Sequence, residues 1–315
     1  MNLTGYTLAR AQIIFIGKAL TPILLLLTFL LLLVVFISRF KKYQRQAQVI
    51  FTLFLTTGFV SLIWFHYQIY QLLPLRDPLS QELLGRFQLP LWIEGEKLYF
   101  WALCLAFFLL ARVPETVKKL SLLSLSLIVW INLIFQNPFT QPLPLFHQEV
   151  TRAAQAFQTG QLAIQFEAVG QLYGRLHYFY NSSYMWTHPP LLFLSYAAFT
   201  IAFISALLML CKGEGDAEKS CYFWTKLGYL PLTLGILIGY PWAILAWQNQ
   251  PWWWAPKINI SLMMWVFYTA YLHSHLQLKR RGFWGLSASL NLLSFLALLF
   301  TYLTTYLIPG VHSYG

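Results

Sequence analysis

Long apolar runs constrain this chain more than any other feature. Eight stretches, at about 19–38, 48–73, 97–112, 119–136, 188–211, 223–246, 257–277 and 284–308, are dominated by apolar side chains. At 1.5 Å rise per helical residue, about 20 such residues cross the roughly 30 Å hydrocarbon core of a bilayer. The third stretch is short and rich in aromatic residues. The fold class expected is therefore all-α: a polytopic transmembrane helix bundle of about eight spans. Composition agrees. Only 10% of the residues are charged, against about a quarter in a soluble domain. The chain divides by sequence into a four-span region over 1–140, a loop region over 141–187 and a second four-span region over 188–315.

Basic residues set the expected orientation. Arg39, Lys41, Lys42 and Arg45 form one group, Arg112, Lys118 and Lys119 a second, Lys212, Lys219 and Lys226 a third, and Lys279, Arg280 and Arg281 a fourth. These are 13 of the 21 lysines and arginines, and they recur in alternate loops. Such loops stay in the cytoplasm. The N-terminus, the 74–96 loop, the 137–187 loop, the tryptophan stretch after residue 246 and the C-terminus are then expected outside, in a periplasm or lumen. The formal net charge of +11 is accounted for by this topology signal, which excludes nucleic acid as the partner. The first apolar run precedes a basic cluster and is long enough to span, so it is read as retained rather than cleaved.

Cys104, Cys211 and Cys221 form no CxxC or CxxCH motif. The chain therefore carries neither a thioredoxin-type redox pair nor its own covalent haem attachment site. The longest connection, 137–187, places Ala153, Phe157, Leu162, Ile164 and Phe166 at helical spacing. One or two interfacial helices broken near Gly160 are expected there.

Chemistry gathers in the histidines and tryptophans. His188 opens the fifth span and His312 follows the eighth, both at the expected outer end. The segment "AWQNQPWWWAPKINISLMMW" joins the sixth and seventh spans on that same side. An aromatic belt at the membrane interface explains scattered tryptophans such as Trp92, Trp101, Trp224 and Trp284. Trp252, Trp253 and Trp254 are denser than a belt requires. Imidazoles beside flat aromatic faces suit the axial ligation and covering of an iron porphyrin, and Lys257 suits its propionates. His66 and His273 lie inside apolar spans, where an ionisable residue is a functional candidate. They sit at unequal depths, roughly 12 Å and roughly 24 Å below the outer ends of their spans, so their ligation of one haem needs helix tilt or a histidine from another subunit.

Four stretches, taken together and in order, resemble the haem-handling membrane proteins of cytochrome c assembly that carry the WWD segment. They are "MWTHPPLLFLSYAAF" over 185–199, "GYPWAILAWQNQPWWWAPKINISLMMW" over 239–265, "FYTAYLHSH" over 267–275 and "GVHSYG" over 310–315. The likeness reads as nearest to the CcsA (ResC) branch, with CcmC and CcmF further off. It covers roughly 185–315. The resemblance implies haem b at the outer face, with His188 and His312 as axial ligands. The surrounding site would be Trp242, Trp247, Trp252, Trp253, Trp254, Pro256, Lys257 and Asn259. A second haem site in the membrane falls on His273, with His66 a candidate partner. It also implies a subunit of a holocytochrome c synthase that works with a CcsB-like membrane partner on apocytochrome c.

The chain departs from that pattern at two positions. Ala255 stands where the family has aspartate and Ile258 where it has a second acid; Gln248 to Tyr268 contains no acidic residue at all. This favours holding haem over attaching it. A second hypothesis follows, in which the chain is a haem-binding or electron-transfer subunit of a respiratory redox complex. A scaffold with inert interfacial tryptophans is a third. A transporter is not supported, because no internal repeat or pair of interrupted half-helices is present.

Overall fold

The computed structural model describes residues 2–212, 215–247, 251–281 and 284–308. Ten helices dominate it: α1 (Leu3–Phe36), α2 (Gln44–Leu72), α3 (Glu96–Leu109), α4 (Glu115–Phe135), α5 (Pro144–Gln158), α6 (Leu162–Arg175), α7 (Ser183–Lys212), α8 (Asp216–Ala246), α9 (Pro256–Arg281) and α10 (Trp284–Leu307). The fold is an all-α polytopic membrane protein. Among the described residues, six helices are long and apolar enough to cross a membrane: α1, α2 with the 3-10 turn before it, α4, α7, α8 and α10. The other two expected spans form helices that fall short of that measure. α3 has 14 residues, roughly 21 Å of helix. α9 is long, but its C-terminal end reads "HSHLQLKRR" and dilutes its apolar character.

Large side chains on the outside of the helices are what lipid contact requires, since the bilayer core solvates no polar surface. Phe15 and Phe135 are each 76% exposed and Leu307 is 70% exposed. One departure from the all-helical expectation is a small antiparallel hairpin in the 74–96 loop, β1 (Pro74–Arg76) with β2 (Leu83–Arg86). Its strands are too short for alternation to reveal them in the sequence.

The chain falls into two compact units, Met1–Leu103 with Ser126–Trp186, and Cys104–Leu125 with Thr187–Gly315. The stretch 104–125 thus belongs with the C-terminal spans rather than with its sequence neighbours. Phe108 meets Trp224 of α8 with ring centroids 5.3 Å apart.

In the first unit, α1 and α2 pack as an antiparallel pair. The α5–α6 pair fills the 137–187 loop and breaks at Gly160, whose φ of +69° favours glycine. Glu94 caps α5 from a distant loop: its carboxylate accepts from the backbone N–H groups of Leu145 (3.0 Å) and Phe146 (3.1 Å). Those donors have no partner within their own helix. Burial raises the Glu94 pKa above the usual carboxylate value, and the two N–H bonds oppose that shift.

The second unit rests on close approach of α7 and α8. A Cβ at Gly228 would press on Phe199, one at Gly235 on Leu192, and one at Gly239 on His188. Each step of four or seven residues along α8 answers the same step along α7, in antiparallel register. Gly235-x-x-x-Gly239 is the small-residue spacing that lets membrane helices approach closely. Polar side chains fasten the remaining helices. Asn291 Nδ2 donates to Thr225 Oγ1 (2.8 Å), Trp265 Nε1 donates to Thr233 Oγ1 (2.9 Å), and Tyr229 bonds Thr269 (2.7 Å).

Candidate functional site

His188 sits in the first turns of α7, just before Pro189 and Pro190. A proline nitrogen carries no hydrogen, so Pro189 leaves the carbonyl of Met185 without its helical donor. The indole Nε1–H of Trp92 takes that place. The imidazole of His188 lies against the α8 backbone, where a Cβ at Gly239 would come within 2.5 Å of Cε1 and 2.6 Å of Nδ1. Only glycine leaves room for the ring. Its Nδ1 is 2.6 Å from the carbonyl oxygen of Gly235. A carbonyl can only accept, so Nδ1 carries the hydrogen and Nε2 carries the lone pair. Nε2 has no hydrogen-bond partner among the described residues. A metal-ligating histidine has this arrangement: the second ring nitrogen donates to a carbonyl or carboxylate, fixing the tautomer and the ring plane. The donor chemistry therefore fits an axial ligand of haem iron.

Beside the ring stands an aromatic group. Trp242 stacks on His188 at 6.2 Å between centroids, and Trp247 meets Trp242 edge-on at 4.7 Å. Both tryptophans are buried. The three consecutive tryptophans form a 3-10 turn. Trp252 packs edge-on against Tyr240 at 5.4 Å and against Trp253 at 5.7 Å. Trp253 is 53% exposed and Trp254 74% exposed, so flat apolar faces remain open to a ligand or to lipid. Pro256 begins α9, where its fixed φ suits the first helical position. Asn259 donates to the carbonyl of Ala255 at 3.3 Å. Lys257 donates to Thr305 Oγ1 at 2.8 Å.

The remaining candidate ligands are placed otherwise. His312 lies outside the described residues. His273 is exposed on an outward face of α9, along with Leu262, Val266 and Leu276. His66 is buried in the first unit with both ring nitrogens engaged. Nδ1 faces the carbonyl of Leu89 at 3.0 Å, and Nε2 faces Glu96 Oε1 at 2.7 Å. The structure thus brings His66 to an acid, and His66 and His273 fall in different units.

The sequence reading missed Gly235, Gly239, Thr305 and Glu96. The GxxxG spacing in an apolar helix was the available signal for the glycines. It also missed a close approach of α8 and α9, where His275 Nδ1 lies 3.2 Å from Glu218 Oε1 while its ring stacks on Tyr222 at 3.7 Å.

Comparison with known proteins places the chain in a family. A family model described as cytochrome C assembly protein matches residues 92–312, well over half of the chain. The chain belongs to the cytochrome c assembly family. Among its relatives, the cytochrome c-type biogenesis protein CycK of Bradyrhizobium diazoefficiens is 39% identical over 137 residues, covering 41% of this chain and 20% of that protein. CcmF of Escherichia coli is 35% identical over 136 residues, 41% of this chain and 21% of that protein. A probable biogenesis protein NrfE from Escherichia coli is 40% identical over 99 residues, 30% of this chain and 18% of that protein. A solved structure of the cytochrome c haem lyase CcmF superimposes with a TM-score of 0.61 over 93% of this chain and 47% of that one, at 19% identity. That likeness establishes the fold. The chain spans less than half the length of the relatives it matches. The relatives are CycK, NrfE and CcmF proteins, which indicates a CcmF-like chain and does not bear out the CcsA branch.

Proposed function

We propose that this chain binds haem b at the end of the second unit marked by His188 and the tryptophan turn. There it takes part in delivering haem to apocytochrome c, or in ligating it. The observation that carries the reading is the His188 geometry: Nδ1–H tied to the Gly235 carbonyl, Nε2 open, and the ring pressed on Gly239. His312 is the proposed second axial ligand. The relatives named above are assembly proteins, which favours this reading over a respiratory subunit.

Haem, when bound, supplies the vinyl groups that become the thioether links of a cytochrome c. The chain's own residues hold and orient it. His188 presents a lone pair in a fixed plane, Trp242 backs that ring, and the exposed Trp253 and Trp254 offer apolar faces. Alternating basic loops support placing this end on the periplasmic or lumenal side, with Arg39, Lys41, Lys42 and Arg45 in the cytoplasm. His273 is the proposed ligand of a second haem. Because it faces outward, a membrane partner is proposed to supply the opposing ligand, since intramembrane histidines rarely face lipid alone. The apolar Ala255 and Ile258 support a chain that holds haem more readily than it attaches it.

The test is the absorption spectrum of the purified chain, repeated on His188→Ala and His312→Ala. The wild type is expected to show a Soret band that each substitution weakens or shifts. If both variants keep the wild-type spectrum, haem is held elsewhere. Deleting the gene tests the biological role: normal levels of haem-bearing cytochromes c afterwards would remove it from their assembly.

A further inference from the structure

The turn between α1 and α2 carries a pattern that topology alone does not require. Residues Ser38–Tyr43 form a 3-10 helix. Phe40 N–H donates to the Ile37 carbonyl at 3.0 Å, and Gln44 N–H donates to that of Lys41. With three residues per turn, side chains three apart lie one above the other. The turn therefore has three edges. Ile37, Phe40 and Tyr43 make an apolar edge, and all three are exposed. Arg39 and Lys42 make a cationic edge, which Arg45 continues into the first turn of α2; these are exposed as well. Lys42 Nζ lies 4.8 Å from the centre of the Tyr43 ring, which joins the two edges. The third edge runs down to Gln44, which is buried and roots the turn in the protein.

Position along the chain sets the depth. The apolar run of α1 ends where the turn begins, so the turn stands where hydrocarbon gives way to headgroups. Aromatic side chains favour that zone, and basic ones meet phosphates there. No acidic residue precedes Asp77 in the chain. Asp77 lies beyond the opposite end of α2, a helix of 29 residues and roughly 43 Å. Basic residues elsewhere are engaged differently: Lys219 lies 3.6 Å from Asp216, and Lys226 sits over the ring of Tyr222 at 4.2 Å. Orientation demands charge alone. The apolar edge beside the cationic one is the added feature, and it suits an anion that brings apolar chains with it.

We propose that this two-edged turn binds the headgroup of an anionic phospholipid. The phosphodiester sits against Arg39, Lys42 and Arg45, and the upper part of an acyl chain lies along Ile37, Phe40 and Tyr43. The contact fixes the α1–α2 pair to one face of the bilayer. It is independent of the haem-binding reading.

The experiment incubates the purified full chain in detergent with equal amounts of phosphatidylglycerol and phosphatidylcholine, and counts the retained lipid by native mass spectrometry. Phosphatidylglycerol is expected in excess, and the excess should shrink as salt is raised before analysis. At about fivefold per basic residue, Arg39→Gln/Lys42→Gln/Arg45→Gln should lose on the order of a hundredfold of that preference. Phe40→Ser/Tyr43→Ser should weaken retention of both lipids and leave their ratio. Lys118→Gln/Lys219→Gln/Lys226→Gln removes as much charge from other loops and should leave both retention and ratio. Equal retention of the two lipids by the wild type overturns the proposal, and that measurement needs no variant to fold. An equal loss in the Lys118 set overturns it too, since the preference would then follow overall charge. Displacement of the lipid by millimolar glycerol phosphate would overturn it in favour of a site for free phosphate.

Discussion

His66 and His188 are both imidazoles on long apolar helices, yet the two units treat them oppositely. Each donates one ring nitrogen to a backbone carbonyl, Leu89 for His66 and Gly235 for His188. They differ at the second nitrogen. In the first unit Glu96 closes it at 2.7 Å, making a buried ion pair. In the second unit no acid follows Glu218 in the chain, and among the described residues Nε2 of His188 has no hydrogen-bond partner. The distribution of carboxylates decides which histidine becomes a structural tie and which keeps a nitrogen for the proposed haem.

The comparison is broken most sharply by exchanging the two roles. His188→Ala is expected to abolish the haem band of the proposed site, while His66→Leu leaves it in place. A haem band lost in His66→Leu and retained in His188→Ala would reverse the assignment. His66→Leu has its own large effect, because Glu96 is left buried without its partner. A loss of about 3–5 kcal/mol is expected in denaturant unfolding, with most of it recovered in His66→Leu/Glu96→Leu.

Next comes Gly239→Ala. The added methyl must displace the imidazole, at a cost of about 1–3 kcal/mol from overpacking, and haem affinity should fall at least about tenfold by loss of the fixed tautomer. Gly170→Ala, where a Cβ meets nothing within 4 Å, serves as the control and should leave haem titration unchanged. Smaller again is Tyr268→Phe. Among the described residues the Tyr268 hydroxyl is buried without a hydrogen-bond partner, so its removal should raise stability by about 1 kcal/mol, measured by the unfolding midpoint.

The smallest effect belongs to His147 in the first unit. Burial, and then the charge of Arg10, hold its pKa below the ordinary value of 6.5. The folded unit therefore disfavours the imidazolium. Its stability contribution is complete above about 6.5 and declines as pH falls from there toward the lowered folded value. Hydrogen exchange in α5 should quicken slightly over that interval, and His147→Gln should remove the dependence.

Much of this was legible in the sequence, for identifiable reasons. Apolar length announced the spanning helices, because lipid demands it segment by segment. Helical spacing and Gly160 announced α5 and α6, because a local break needs a local residue. The same rules did not reveal the hairpin, whose pairing joins short strands, although they did mark the third run as short. Four motifs in order announced the family; they pointed to the CcsA branch, whereas the relatives are CycK, NrfE and CcmF proteins.

By itself, then, the sequence determined a membrane-embedded helical chain with haem-suited histidines and tryptophans, and with no aspartate or glutamate after Glu218. Only the tertiary structure decided what each histidine does. A ring nitrogen's role depends on the one atom that reaches it, and those atoms come from other elements: Glu96 and Leu89 for His66, Gly235 and Gly239 for His188. Spacing along one chain does not encode which distant carbonyl or carboxylate will arrive. Packing of α7 against the glycines of α8 does.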